Sequence, residues 1–190
     1  DEYWTKLDAA AESNQLPDIF WMHTNQILKY ADYGKLADVT DLYDQEDPDY
    51  YTKHFSEISL NNAKGSDGRI YGVPKDKDTV CLVYNREMFD NAGLAYPDES
   101  WTWDDLTEAS AAVYDKTGKY GFMAYADEQL GYWNFVYQAG GHILNEDKTK
   151  AGFMDPATRK GMEFYINLQK EPWCPDQKYF AETNPGTAFI

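Results

Sequence analysis

Residues 79–85 read TVCLVYN, a near-continuous apolar run with Lys75, Asp76, Lys77 and Asp78 before it and Asn85 after it. A run this short, rich in β-branched residues and without polar alternation, suits a strand covered on both faces, because a strand with one wet face would alternate. Both faces of such a sheet must be covered by helices, so the run points to an α/β fold.

The neighbouring segments supply those helices. YWTKLDAAAES (3–13) places Trp4, Leu7 and Ala11 at helical spacing, and TNQILKYADYG (24–34) places Ile27, Leu28 and Ala31 inward with Gly34 as its stop. Between them, Asp18 to Met22 reads as a short buried strand. DPDYYTKHFSEISLNN reads as a helix with Pro48 in its first turn and Tyr51, Phe55 and Ile58 on one side; KGSDGRIYGVP reads as a hairpin turned at Ser66 to Gly68.

After the apolar run the alternation resumes. NREMFDNAG predicts a short helix closed by Gly93, and WTWDDLTEASAAVYD a longer one, with Thr102 and Asp105 at capping-box spacing and Leu106, Ala109 and Val113 as its stripe. KYGFMAYA and HILNED read as strands, and LGYWNFVYQAGG as an aromatic helix ended by glycines. DPATRKGMEFYINLQKE predicts a helix capped by Asp155, begun at Pro156, and burying Met162, Tyr165, Ile166 and the stem of Gln169. The chain opens without an N-cap and stops on an apolar upswing, FAETNPGTAFI, so both ends read as cut from a longer protein, with sheet edges and apolar faces left open to association.

Composition then excludes function classes. With 33 Asp plus Glu against 17 Lys plus Arg, the formal charge of −16 repels a phosphate backbone, so nucleic acid is not expected as a partner. Cys81 and Cys174 form no CxxC and have no His at ligand spacing, so no metal site or disulfide framework is indicated. A single bridge stays open beside the reading of Cys81 as a small hydrophobe inside its strand. GxSxG, HExxH, GxxxxGK[ST] and GxGxxG are all absent, which lowers the expectation of an enzyme and of a cofactor. Asn145, Asp147 and Thr149 faintly suggest a calcium loop, but Lys150 stands where glycine is needed, and a solvated turn explains them better. Asp41, Asp44 and Glu46 read as the wet side of a helix and its loop rather than a catalytic pair.

Aromatic residues make up 16% of the chain, and several stand with polar ones at strand ends. Trp21, His23, Thr24 and Asn25 end one predicted strand, Lys75 to Asp78 precede another, and Tyr132, Trp133 and Asn134 form a further cluster. Ligands of open α/β sheets settle where strands give way to loops. A pyranose offers an apolar face to Trp or Tyr and hydroxyls to Asp, Asn and Lys. Each residue also has a plain alternative: Trp21 and Trp133 as core, Lys75 with Asp78 as a surface ion pair, Asn134 as helix surface.

Three stretches resemble the family 1 extracellular solute-binding proteins of ABC importers, the class containing the maltose-binding protein. They are LPDIFWMHTNQILKYADYGKLADVTDLY, DGRIYGVPKDKDTVCLVYNREMFDNAGLAYPDESWTWDDL and GYWNFVYQAGGHILNEDKTKAGFMDPATRKGMEFY. The resemblance implies a two-lobed periplasmic-binding-protein-like fold of the type II class, with 1–77 in the N-terminal lobe, 78–190 in the C-terminal lobe and the hinge crossing near 75–80. It implies a receptor, not an enzyme, located outside the cytoplasm as a periplasmic or lipid-anchored protein, that binds a sugar or oligosaccharide without a cofactor and delivers it to a membrane permease. Trp21 matches the cleft tryptophan of the maltose-binding branch and Asp78 a carboxylate that meets sugar hydroxyls. Thr24 and Asn25 align with two charged contact positions, so the sugar need not be maltose. Tyr132, Trp133 and Asn134 complete the expected ligand set. The rivals are a carbohydrate-active enzyme and the same receptor fold holding a peptide, polyamine or metal chelate.

Overall fold

A computed structural model describes residues 2–43, 49, 53–147 and 149–189. The chain divides into two compact units, Asp1–Thr79 and Val80–Ile190. Among the described residues the regular elements are helical, and β pairing is confined to two isolated antiparallel bridges, Lys64 with Ile70 and Leu144 with Ala151.

In the first unit, α1 (Glu2–Glu12) buries Leu7 and Ala11, four residues apart and therefore on one face. They meet Tyr30 of α2 (Thr24–Asp32), and Trp4, Leu16, Phe20, Met22 and Leu36 pack around them. Asp8 locks the helix pair: its carboxylate accepts from Lys29 Nζ at 2.9 Å and from the Tyr30 hydroxyl at 2.7 Å. On α2 the buried residues are Ile27, Tyr30 and Ala31, not the expected Ile27, Leu28 and Ala31. Positions i, i+3 and i+4 share a helix face, and Leu28 lies about 100° round from Ile27, which leaves it exposed.

The strand expected at Asp18 to Met22 is not paired, but its alternation persists. Phe20 and Met22 face the cluster while Ile19, 91% exposed, and Trp21, 64% exposed, face solvent. The hairpin at Ser66 to Gly68 is reduced to one bridge and a tight turn, with Gly65 N–H donating to Arg69 O and Gly68 at φ +79°. Asp32 receives both the backbone N–H and the hydroxyl of Ser66. Arg69 ties this turn to Asp38 and Asp41 beside α3 (Thr40–Tyr43). In α4 (Glu57–Asn61), capped by Ser56, Ile58 is exposed rather than inward, and Phe55 precedes the helix. The expected positions of Pro48 and Tyr51, like Asp44 and Glu46, lie outside the described residues.

The largest departure is the run 79–85. Val80, Leu82 and Val83 are each half or more exposed, and Cys81 is exposed rather than packed in a strand. An extended segment buries both faces only when neighbouring strands and covering helices are present, and no strand ladder exists among the described residues. The buried cysteine is Cys174, and the two thiols are free.

The second unit follows its sequence signals closely. Asn85 caps α5 (Arg86–Ala92), which ends at Gly93 with φ +70°. Thr102 and Asp105 form the capping box of α6 (Trp103–Thr117), which buries Ala109, Ser110 and Val113, with Leu106 partly buried beside them. A π-helical turn (Glu128–Tyr132) leads into α7 (Trp133–Gln138), which packs on α8 (Pro156–Leu168), capped by Asp155. Their contact is close because Gly161 lacks a Cβ, which would stand 2.5 Å from Phe135 O and 2.6 Å from Val136 Cα. The core joins Ala124, Phe135, Tyr165, Leu168, Trp173 and Cys174. Of the residues expected inward on α8, Tyr165 is buried, Met162 and Gln169 are half-buried and Ile166 is exposed; Thr158, Gly161 and Leu168 take the buried face.

The segments expected as strands satisfy their backbones elsewhere. Gly121 and Phe122 N–H both donate to Trp173 O, and His142 exchanges two hydrogen bonds with the Thr158 hydroxyl. The turn at 145–150 closes on itself: Asn145 and Asp147 side chains accept from Lys150 N and Thr149 N. Two short helices, α9 (Gln177–Glu182) and α10 (Pro185–Phe189), follow.

Candidate functional site

Trp21 is carried by the alternating segment before α2, on its solvent side, and its carbonyl accepts from the Tyr3 hydroxyl at 2.6 Å. Anchored at the backbone, its indole is presented outward. Lys75 lies over it, with Nζ 4.2 Å from the ring centroid, and pairs with the Asp76 carboxylate. A cation this close to a tryptophan face is attracted by the ring quadrupole.

Thr24 and Asn25 are the first residues of α2, and both are exposed. His23 caps this helix, its Nδ1 accepting from Asn25 N at 3.2 Å, so the sequence HTN sets the angle at which the two side chains leave the helix. Asp78 is exposed three residues beyond Lys75. The structure thus brings Trp21 to Lys75, a pairing the sequence did not reveal because 54 residues separate them.

A cavity of about 320 Å³ adjoins the same segment, lined by Pro74, Lys75, Asp76 and Lys77 on one side and His54, Phe55, Ser56 and Ser59 on the other. None of the last four stands out in the sequence as a site residue, and Phe55 reads there only as an inward helix position. Ser56 and Ser59 signal only a helix cap, which is how Ser56 is used.

A second cavity, about 360 Å³, opens between α1 and α2 and includes Asp8, Glu12, Lys29, Tyr30, Tyr33 and Lys35. Its polar groups largely satisfy one another. Hydrogen bonds from Lys29 and then Tyr30 hold the Asp8 carboxyl below the usual range, and burial, then the bond to Asp8, pushes the Tyr30 hydroxyl up to about 12. Lys35 Nζ donates to Asn14 at 2.8 Å. A ligand here would have to break bonds the helix pair already uses.

In the second unit, Tyr132 ends the π-helical turn and packs half-buried against the core. Trp133 opens α7; its indole N–H is fully enclosed, with no hydrogen-bond partner among the described residues. Asn134 braces the turn, its amide donating to Gln129 O at 2.9 Å and Gly131 O at 3.1 Å. The turn is possible because Gly131 takes φ −109°, ψ −114°, and a Cβ there would sit 2.7 Å from the Tyr165 hydroxyl. That hydroxyl donates to Tyr125 O at 2.7 Å, and burial raises its pKa. Tyr132, Trp133 and Asn134 are therefore adjacent in space through one local kink.

Among the described residues no group of three His, Cys, Asp or Glu could hold a metal ion. None of the helices described is long and apolar enough to cross a membrane.

Known proteins bear on this geometry. The chain is 26% identical over 186 residues to the diacetylchitobiose-binding protein of Streptomyces coelicolor, covering 97% of this chain and 42% of that protein. It is 33% identical over 86 residues to the arabinooligosaccharide-binding protein of Halalkalibacterium halodurans, covering 45% of this chain and 19% of that one. Its structure superposes on the ABC substrate-binding protein of Listeria monocytogenes in complex with cycloalternan with a TM-score of 0.79 at 26% identity, over 97% of this chain and 47% of that chain. The chain thus spans less than half the length of these relatives. The family described as bacterial extracellular solute-binding protein matches residues 1–187, nearly end to end, and the chain belongs to that family.

Proposed function

We propose that the protein is an extracellular receptor that binds a sugar or oligosaccharide and delivers it to the permease of an ABC transporter, making and breaking no covalent bond. The observation that carries this reading is the superposition, over 97% of the chain, on a binding protein holding cycloalternan. The relatives named for diacetylchitobiose and arabino-oligosaccharides support the same solute class.

We assign the complete protein to the two-lobed α/β, type II periplasmic-binding-protein fold, with 1–77 in one lobe, 78–190 in the other and the hinge near 75–80. The division of the chain at Thr79 and Val80 supports that boundary. We place the receptor outside the cytoplasmic membrane, periplasmic or held by a lipid anchor. Trp21 stacks on a sugar face and Asp78, Thr24 and Asn25 meet its hydroxyls; Tyr132, Trp133 and Asn134 are the candidate ligand residues of the second unit. The exposure of the Trp21 indole and the enclosed, unpartnered Trp133 N–H support these roles. Affinity then comes from aromatic burial and from charge-assisted hydrogen bonds to Asp78.

The test is calorimetry on the full-length protein with diacetylchitobiose, arabino-oligosaccharides and cycloalternan, alongside incubation with a chromogenic glycoside. Binding of one sugar without turnover is expected, and Trp21→Ala weakens it by about 2 kcal/mol, the scale of an aromatic anchor. Failure of every sugar to bind would sink the carbohydrate assignment, and turnover would replace the receptor by an enzyme.

A further inference from the structure

We infer that Lys75 is a specificity-determining residue: its ammonium covers the Trp21 stacking face, and a neutral sugar binds by displacing it. The inference rests on the sugar-receptor reading of Trp21 given above.

The covering contact is direct, with Nζ 4.2 Å from the centroid of an indole that is otherwise open to solvent. Tryptophan is the side chain that attracts a cation most strongly. A pyranose stacking on that face seeks the same area and cannot share it with the ammonium. Binding is then an exchange, in which the lysine leaves the ring and the apolar face of the sugar takes its place.

The surroundings suit the exchange. Asp76 pairs with the same ammonium while both side chains remain about half exposed, so the charge keeps a partner after it leaves the indole. The cavity of about 320 Å³ lined by Lys75 and Asp76, whose walls do not include Trp21, gives the side chain room. Pro74 fixes its own φ, so the movement falls to the lysine side chain more than to the backbone before it.

The chemical consequence is a filter. A neutral sugar loses only the cost of moving Lys75. A cationic solute is also repelled by the displaced ammonium, although the net charge of −16 draws it in at long range. The Trp21–Lys75 pair therefore selects neutral solutes over cations at the contact itself.

The experiment uses the full-length protein, with Lys75→Ala and the conservative Lys75→Arg, against the neutral sugars of the panel above. The expected result is a Kd tightened about two- to fivefold in Lys75→Ala, the scale of one exposed cation–π contact, with Lys75→Arg close to wild type. An unchanged or weakened Kd in Lys75→Ala overturns the inference. A second readout needs no ligand. The Trp21 contribution to fluorescence, obtained as the difference from Trp21→Phe, is quenched by acrylamide more strongly in Lys75→Ala than in wild type. Equal quenching constants overturn the inference too. If no sugar binds the wild type, the receptor reading fails, and the quenching comparison still decides whether Lys75 covers the ring.

Discussion

Trp21 and Phe135, one from each unit, show two different uses of an aromatic ring. In Asp1–Thr79 the indole of Trp21 stands in solvent under a lysine, while Ile19, Leu28, Ile58 and Val73 are exposed around the unit. In Val80–Ile190 the ring of Phe135 lies among Trp103, Phe122, Phe164 and Tyr165 with centroids 5.2–6.5 Å apart. Rings at that spacing hold a core together; a ring with an open face is available to a ligand. Aromatic content alone does not separate the two uses. The neighbours do.

The sharpest way to break this contrast is Phe135→Ala, which removes the centre of the second core. It should cost about 3–5 kcal/mol, seen as loss of cooperative unfolding in denaturant titrations. Survival of the unit with near-native stability would mean that its rings are not a shared core. Next comes Gly161→Ala. Helix propensity alone would gain about 1 kcal/mol, but the new Cβ meets the α7 backbone at 2.5 Å, so we expect a net loss of about 1–3 kcal/mol in the same titration. A stabilised variant would show that α7 and α8 move apart freely. Thr102→Ala, which removes one half of the capping box, should lower stability by about 1 kcal/mol.

By contrast, Trp21→Phe should change stability by no more than about 0.5 kcal/mol, because an exposed ring contributes little to packing. A large drop in thermal midpoint would place Trp21 in the core and remove the difference between the units. The smallest expected effect is at acid pH. Hydrogen bonds from Lys29 and Tyr30 lower the Asp8 pKa in the folded state. Its contribution is therefore fully present above the ordinary carboxyl pKa of about 4 and is lost as pH falls through the lowered folded value. Thermal midpoints of Asp8→Asn and wild type should converge below that range, and a gap that persists there would assign the effect to packing instead.

Legibility in the sequence followed locality. The caps at Thr102 and Asp155 and the stops at Gly34 and Gly93 are decided by a few adjacent residues and are legible in the sequence; the cap at Asn85 and the stop at Gly118 are of the same local kind. The inward faces are legible only approximately: Leu28, Ile58 and Ile166 are exposed, because hydrophobicity alone does not fix which side of a helix is covered. The strands were not. A strand is completed by a partner distant in sequence, and TVCLVYN has no ladder among the described residues, so its apolar side chains stay open. Of the candidate residues, Trp21, Thr24 and Asn25 are suggested by the strand-to-helix step, whereas the cavity wall of His54, Phe55, Ser56 and Ser59 comes from another segment and leaves no local trace of a site.

By itself, the sequence determined where the capped helices of the second unit begin and end, the strongly acidic net charge, and motifs specific enough to reveal the solute-binding family. Tertiary structure alone decided which aromatic rings are core and which are open, that Cys174 and not Cys81 is buried, and that Lys75 covers Trp21. The physical reason is range. Caps and helix periodicity are interactions over three or four residues, whereas burial and ring contacts depend on segments that meet only after the chain has folded.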